Sequence, residues 1–298
     1  MKNTLILTLV ACVPFVAEID ARGDSTTFAA ISLSPDNRGQ ISILGSMPSD
    51  GWPDVYKTDF LVFSKVTNGT NDIWISVFET TNGQWDHIME SNPSFFTNST
   101  VYATRPVESL DYYAICGESG FLRTLNQMVN TGSFRIPTES EWVDVVKSGY
   151  ADVTDSLVST ETCRCNDGTF NTKFWDYKPS TISLQEALFE YNSPANEAIF
   201  RNSLPKSTGT IPVGSYSPDK NGVYDLFGNV AEWCLDDGSD IVKHRSIGVL
   251  KGGYWLLSSE WCNREERFFA PKDGKRSNTI GYGFRLLWIP ETNQLNSI

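Results

Sequence analysis

The run Asn221–Asp236, NGVYDLFGNVAEWCLD, constrains this chain more than any other. Asn221-Gly222 and Gly228-Asn229 are turn dipeptides, so the backbone changes direction twice within a stretch otherwise rich in Val, Tyr, Leu, Phe and Trp. Such a segment is coiled and buried at once, and its polar side chains must find partners inside the protein. Asn229 and Glu232, with the Val230 carbonyl between them, are oxygen donors suited to a hard cation such as calcium. They suit neighbouring backbone N–H groups equally well.

A buried coil needs a core around it, and 298 residues with 40% apolar and 12% aromatic content supply one. Nine Trp, seventeen Phe and twenty-two Gly place aromatic side chains between many turns, the pattern of an irregular α+β domain rather than a helical bundle. A net charge of −12 without a basic stripe excludes a nucleic-acid backbone as partner. His87 and His244 are the only histidines, which weighs against a three-histidine iron site and against a Ser/His/Asp triad.

Lys2 followed by the apolar run Leu5–Ala17, with Ile19 and Ala21 suited to peptidase cleavage, reads as a secretory signal over residues 1–21. Leu9-Val10-Ala11-Cys12 also has lipobox form and offers a lipid-anchored alternative. No later run is long enough to cross a bilayer, so the expectation is a secreted or periplasmic protein with no membrane span. Loss of Cys12 with the signal leaves Cys116, Cys163, Cys165, Cys234 and Cys262, an odd number in a disulfide-permitting compartment.

Periodicity places strands at Ala30–Leu33 and Ile41–Leu44 around a Pro35-Asp36-Asn37 turn, and at Asp59–Ser64 and Asp72–Phe78 around Asn68-Gly69. Thr81 and Gln84 form a capping box opening a helix to Glu90, with Trp85, Ile88 and Met89 on one face. Helices follow over about 110–117 and 120–130, and Thr138 with Glu141 caps one that runs to Gly149. Arg135 and Glu141 are suited to an ion pair there, while Trp142 packs inward. Residues 151–193 read as an insertion, with a turn at Cys163–Gly168 and a short helix over 184–191.

The words of the chain carry a resemblance. GVYDLFGNVAEW resembles the GLYDMxGNVWEW signature of the formylglycine-generating enzyme family, also called sulfatase-modifying factor domains; Phe134–Trp142, FRIPTESEW, resembles its RLPTEAEW; and Lys251-Gly252-Gly253-Tyr254-Trp255 resembles its R-G-G-S-W element. Weaker likenesses are Glu79–Asn82 to an EVTN run, Pro212–Tyr216 to a strand before the signature turn, and the closing Gly283-Phe284-Arg285-Leu286. The resemblance implies an irregular α+β domain related to the C-type lectin fold over residues 40–288, with residues 22–39 as an N-terminal extension and 289–298 as a tail. It also implies structural calcium on Asn229, Val230 and Glu232; Asn196 resembles the start of a further calcium segment whose Gly/Asp completion is missing.

Enzymatic members of that family oxidise a sulfatase cysteine through a copper-binding cysteine pair, with a serine just upstream. Counted from Gly252-Gly253, the second cysteine falls on Cys262, but the first falls on Leu257 and the serine on Tyr254. A leucine neither ligates copper nor exchanges thiols, so the pair cannot be built from this element, and Cys262 is left as a residual family position. Family members that also lack the pair suggest a Cys234–Cys262 disulfide; two separate buried thiols are the alternative. The expectation is therefore an exported non-oxidase domain that binds a glycan or protein ligand through Tyr254, Trp261 and Arg264, with an oxidase of rearranged site as the alternative.

Overall fold

The computed structural model describes residues 26–68, 71–97, 99–150, 209–238, 246–255, 257, 261–274 and 279–291. The expected secretory signal, the insertion with Cys163 and Cys165, Asn196 and His244 lie outside the described residues.

β1 (Phe28–Ser32) and β2 (Ile41–Leu44) form the expected hairpin, and β3 (Phe60–Asn68) and β4 (Asn71–Ser76) a second. β1 also pairs along its whole length with β3, so Phe28–Ser32, within the expected N-terminal extension, is an interior strand of this sheet. Its apolar side chains are buried on both faces. Ala29 and Ile31 join the main core, while Phe28 and Ala30 join a smaller cluster with Trp52, Val62, Phe78 and Tyr224. Burial on both faces explains why the strand reads as a nearly continuous apolar run with weak alternation. With β5 (Ser133–Arg135) and β10 (Leu287–Ile289) these strands make one six-stranded sheet, ordered β2-β1-β3-β4-β10-β5.

A second sheet, ordered β8-β7-β6-β9, holds β6 (Ala231–Asp237), β7 (Ile247–Lys251), β8 (Phe268–Pro271) and β9 (Tyr282–Gly283). β9 lies parallel to β6 and the other neighbours are antiparallel. One main core of Trp74, Trp85, Trp142, Trp233, Phe284 and Trp288 spans residues of both sheets.

The helices are short. α1 (Asp54–Thr58) precedes β3, and α2 (Asn82–Asp86) has the expected capping box but stops before Glu90. The chain turns at His87, whose ring lies 2.8 Å from Asp59 Oδ1, and Ile88 reaches the core from that turn. α3 (Tyr112–Cys116) and α4 (Phe121–Met128) are the next pair, and α5 (Glu139–Gly149) begins at the expected Thr138/Glu141 capping box. Arg135 holds Glu141 through bonds of 2.7 and 2.6 Å, and Trp142 is fully buried. Pro212–Tyr216 is a turn and not a strand: Gly214 takes φ +68°, and its N–H is captured by Asp225.

Candidate functional site

The signature segment folds as a coil as far as Val230 and then enters β6, and its Asp225, Asn229 and Glu232 are buried. Gly222 and Gly228 take φ values of +75° and +81°, and Asp225 and Asn229 take +55° and +56° without being glycine. Left-handed backbone is more readily tolerated at Asp and Asn than at other non-glycine residues, and here both side chains are held by bonds to distant parts of the chain. Asp225 Oδ2 accepts from Gly214 N at 2.6 Å. Asn229 Oδ1 accepts from Ile211 N at 3.0 Å, and its amide donates to Glu79 Oε2 at 2.6 Å. Glu79 Oε1 accepts from Val230 N at 3.0 Å.

Glu232 lies on β6 at the centre of this network with no exposure. Arg285, equally buried, donates its Nε to both carboxylate oxygens at 2.8 and 2.7 Å and approaches with Nη2 at 2.6 Å. Trp142 Nε1 adds a bond of 2.7 Å, joining α5 to β6. The remaining guanidinium donors reach the carbonyls of Ser76 and Tyr224, at 3.0 and 2.9 Å. Burial pushes the Arg285 guanidinium toward neutrality, but Glu232, Glu79 and Asp225 outweigh it and hold the charge. Burial, then the charges of Asp225 and Glu232, hold Glu79 well above the ordinary range, and burial raises Asp225 to about 6.

These partners bear on the calcium reading. Asn229 offers its side-chain oxygen to Ile211 N and its carbonyl to Trp255 N at 3.1 Å, and Glu232 faces a guanidinium. A cation coordinated by Glu232 would compete with Arg285 for the same oxygens, so this donor set does not fit calcium. Among the described residues no group of three His, Cys, Asp or Glu side chains could hold a metal ion.

The second candidate region follows β7. Gly252 and Gly253 take φ +86° and +72°, and a Cβ on Gly253 would lie 2.7 Å from Cys262 Sγ, so the glycine lets the two segments touch. Leu257, in the place of the oxidase family's first cysteine, is buried in the main core. The Cys262 thiol is buried too, and burial pushes it up to about 12; Cys234 is also held well above the ordinary thiol range, by burial first and then by Glu232. Both are free thiols, so the expected Cys234–Cys262 bridge is not formed; Cys234 Sγ instead points to the Glu232 carbonyl at 3.8 Å. Thiols kept protonated in this way are neither good nucleophiles nor ready metal ligands.

Of the recognition residues expected on this element, Tyr254 is a correction. Its ring packs edge-on to Tyr282 with centroids 6.0 Å apart, against Gly281, and the residue is buried. An aromatic that follows two left-handed glycines is turned inward here, where the notion of an exposed patch needed it outward. Trp255 is likewise buried, edge-on to Phe96. Trp261 and Arg264 are only partly buried and share one loop; Arg264 Nε pairs with Glu265 at 2.9 Å. Lys251, the last residue of β7, was not among the expected site residues. It is 1% exposed and donates to the carbonyls of Arg264 and Glu266. The sequence signals that could have found the hidden partners were present: Glu79 opens the EVTN-like run, and Arg285 closes the Gly-Phe-Arg-Leu one.

Comparison with known proteins agrees with this layout. A profile of the sulfatase-modifying factor enzyme 1-like domain (FGE-sulfatase) matches residues 57–289. The chaperone protein LppX of Paenibacillus barcinonensis is 23% identical over 291 residues, covering 87% of this chain and 90% of that one. The formylglycine-generating enzyme of Streptomyces coelicolor is 26% identical over 167 residues, covering 51% of this chain; the chain spans 45% of that relative's length. Among solved structures, Treponema denticola variable protein 1 superposes with a TM-score of 0.50 at 22% identity, covering 77% of this chain and 96% of the other.

Proposed function

Since the chain belongs to the sulfatase-modifying factor enzyme 1-like domain family, we propose that it is a non-oxidase member that binds a protein partner at the loop after Gly252-Gly253. One observation carries the reading: Leu257 is 1% exposed at the position of the missing cysteine, and the Cys262 thiol beside Gly253 is held protonated. Copper-dependent oxidation needs paired soft thiolates, and this element offers one buried thiol and a hydrocarbon. The fold is kept while the reacting groups are replaced, as happens when a scaffold serves binding in place of chemistry.

The LppX relative, aligned over most of both chains, bears the name of a chaperone, which favours a protein partner over a glycan. No helix among the described residues is long and apolar enough to cross a membrane. Together with residues 1–21 this supports export, by a cleaved signal or by lipidation of Cys12, into the compartment where such a partner would be met. Trp261 and Arg264 are the side chains assigned to the contact, an aromatic and an Arg of the kind that dominates interface energetics.

The test has two arms. The mature chain is incubated with copper, oxygen, a thiol and a peptide containing Cys-x-Pro-x-Arg, and the product is weighed by mass spectrometry; unmodified peptide is expected, and formylglycine that disappears in Cys262→Ser would overturn the reading. In parallel, binding of reduced, carboxymethylated lactalbumin, a permanently unfolded chain, is followed by fluorescence anisotropy. Retention that weakens in Trp261→Ala and Arg264→Ala supports a protein-binding loop, and absence of retention counts against it.

A further inference from the structure

The loop that carries Trp261 and Arg264 has no regular strand or helix to hold its centre. Contacts of different kinds hold it between Cys262 and Arg267. Asn263 Oδ1 accepts from the backbone N–H groups of both Glu265 and Glu266, at 2.9 Å each. Arg267 Nη2 reaches Glu139 Oε2 on α5 at 2.7 Å. From below, Lys251 Nζ donates to the carbonyls of Arg264 and Glu266, at 2.7 and 2.6 Å, with Glu139 Oε1 at 3.7 Å and the Trp142 ring at 5.6 Å.

Lys251 differs from the other two contacts in its burial. Asn263 and Arg267 act from the protein's edge, whereas the Lys251 side chain is 1% exposed. An ammonium in that position has exchanged water for two carbonyls of a single loop, and burying it without such partners would be strongly unfavourable. The same group sits at the end of β7, immediately before the left-handed pair Gly252-Gly253. A rigid sheet is thereby tied to the otherwise irregular loop by the strongest class of hydrogen bond available to it.

We propose that Lys251 is a positioning residue: it fixes the 263–267 loop from inside the protein so that Trp261 and Arg264 present one preformed surface to the protein partner. The partner half of this inference rests on the proposed function; the loop half does not. Preforming the loop removes ordering entropy from the binding step, and losing it weakens affinity without removing any contact residue.

Hydrogen exchange and binding are measured on the full mature chain as wild type, Lys251→Met and Lys251→Arg. Lys251→Met removes both donors, so amide exchange at Glu265 and Glu266 is expected to rise at least about tenfold while β6 and β7 stay protected. Affinity for carboxymethylated lactalbumin is expected to fall about tenfold in the same variant, and Lys251→Arg, which keeps a cationic donor, restores both readouts to within about threefold of wild type. Unchanged exchange in Lys251→Met overturns the positioning role. Raised exchange with unchanged affinity keeps the anchor and removes the binding surface from this loop; a wild type that does not bind at all leaves exchange to decide the anchor and refutes the functional reading separately.

Should Lys251→Met not fold, acetylation of the native wild type replaces it. Lys251 is expected to label at least about twentyfold more slowly than the exposed Lys147 and Lys220. Equal rates would mean the loop opens freely, and the proposal would fall.

Discussion

The signature network and the loop after Gly252-Gly253 sit in one core yet are built on opposite terms. Around Glu232 and Arg285 both charges are fully buried and each has several partners drawn from distant parts of the chain. Around Leu257 and Cys262 the side chains are apolar or held neutral, and charge enters through one buried group, Lys251 beneath the loop, and toward the surface at Arg264 and Arg267. The first region can be altered only at the expense of the fold, because removing one member strands a buried charge. The second carries no such constraint at Leu257, because a buried leucine needs no polar partner.

The sharpest way to break the comparison is Arg285→Met. It leaves Glu232, Glu79 and Asp225 buried without their cation, and a loss of about 3–5 kcal/mol or failure to fold is expected in urea denaturation. A loss below about 1 kcal/mol would show that water reaches the network. The loop is tested next by its thiol: with Cys262 raised to about 12, alkylation by iodoacetamide at pH 8 should run at least about a hundredfold slower than for an exposed cysteine. Rapid labelling of Cys262 would place it in an open, reactive site.

A smaller effect of opposite sign is expected at Asp219, in the turn that docks on the end of α5. Its Oδ1 accepts from Asn221 N and Val223 N, but Oδ2 has no partner and lies against Gly149. Burial raises this carboxyl to about 6. The folded state therefore binds the proton more tightly than the unfolded chain, so stability falls as pH rises from about 4 to 6 and is level above that. Asp219→Asn keeps the accepting oxygen and removes the charge. It should stabilise the protein by about 1–3 kcal/mol at pH 7, with the gain vanishing near pH 4. A destabilised Asp219→Asn at pH 7 would mean that Oδ2 has an unseen donor. The smallest effect is expected from a chelator: with Glu232 committed to Arg285, EDTA should shift the melting temperature by less than about 1 °C. A larger drop that Glu232→Ala abolishes would restore the calcium site.

Much of this was legible in the chain. The capping boxes at Thr81/Gln84 and Thr138/Glu141, the two hairpins and the buried coil at the signature are local, because each is specified by residues within one or two turns of one another. The Arg135–Glu141 pair belongs to the same class. The short α2 does not: its end is set by His87 meeting Asp59, far earlier in the chain.

By itself, then, the sequence determined the irregular α+β domain, the turns that bury its signature, and the absence of the oxidase pair at Leu257. Only the tertiary structure decided where Glu232 and Tyr254 point. Glu232 lies near Asn229 in sequence and is a reasonable cation ligand there, but Arg285 and Trp142 reach it across long chain separations and take its oxygens. Tyr254 looks available after two glycines, yet the left-handed backbone of that pair turns its ring onto Tyr282. Side-chain type and spacing limit what a residue can do, whereas the partner it meets depends on long-range packing that no local pattern encodes.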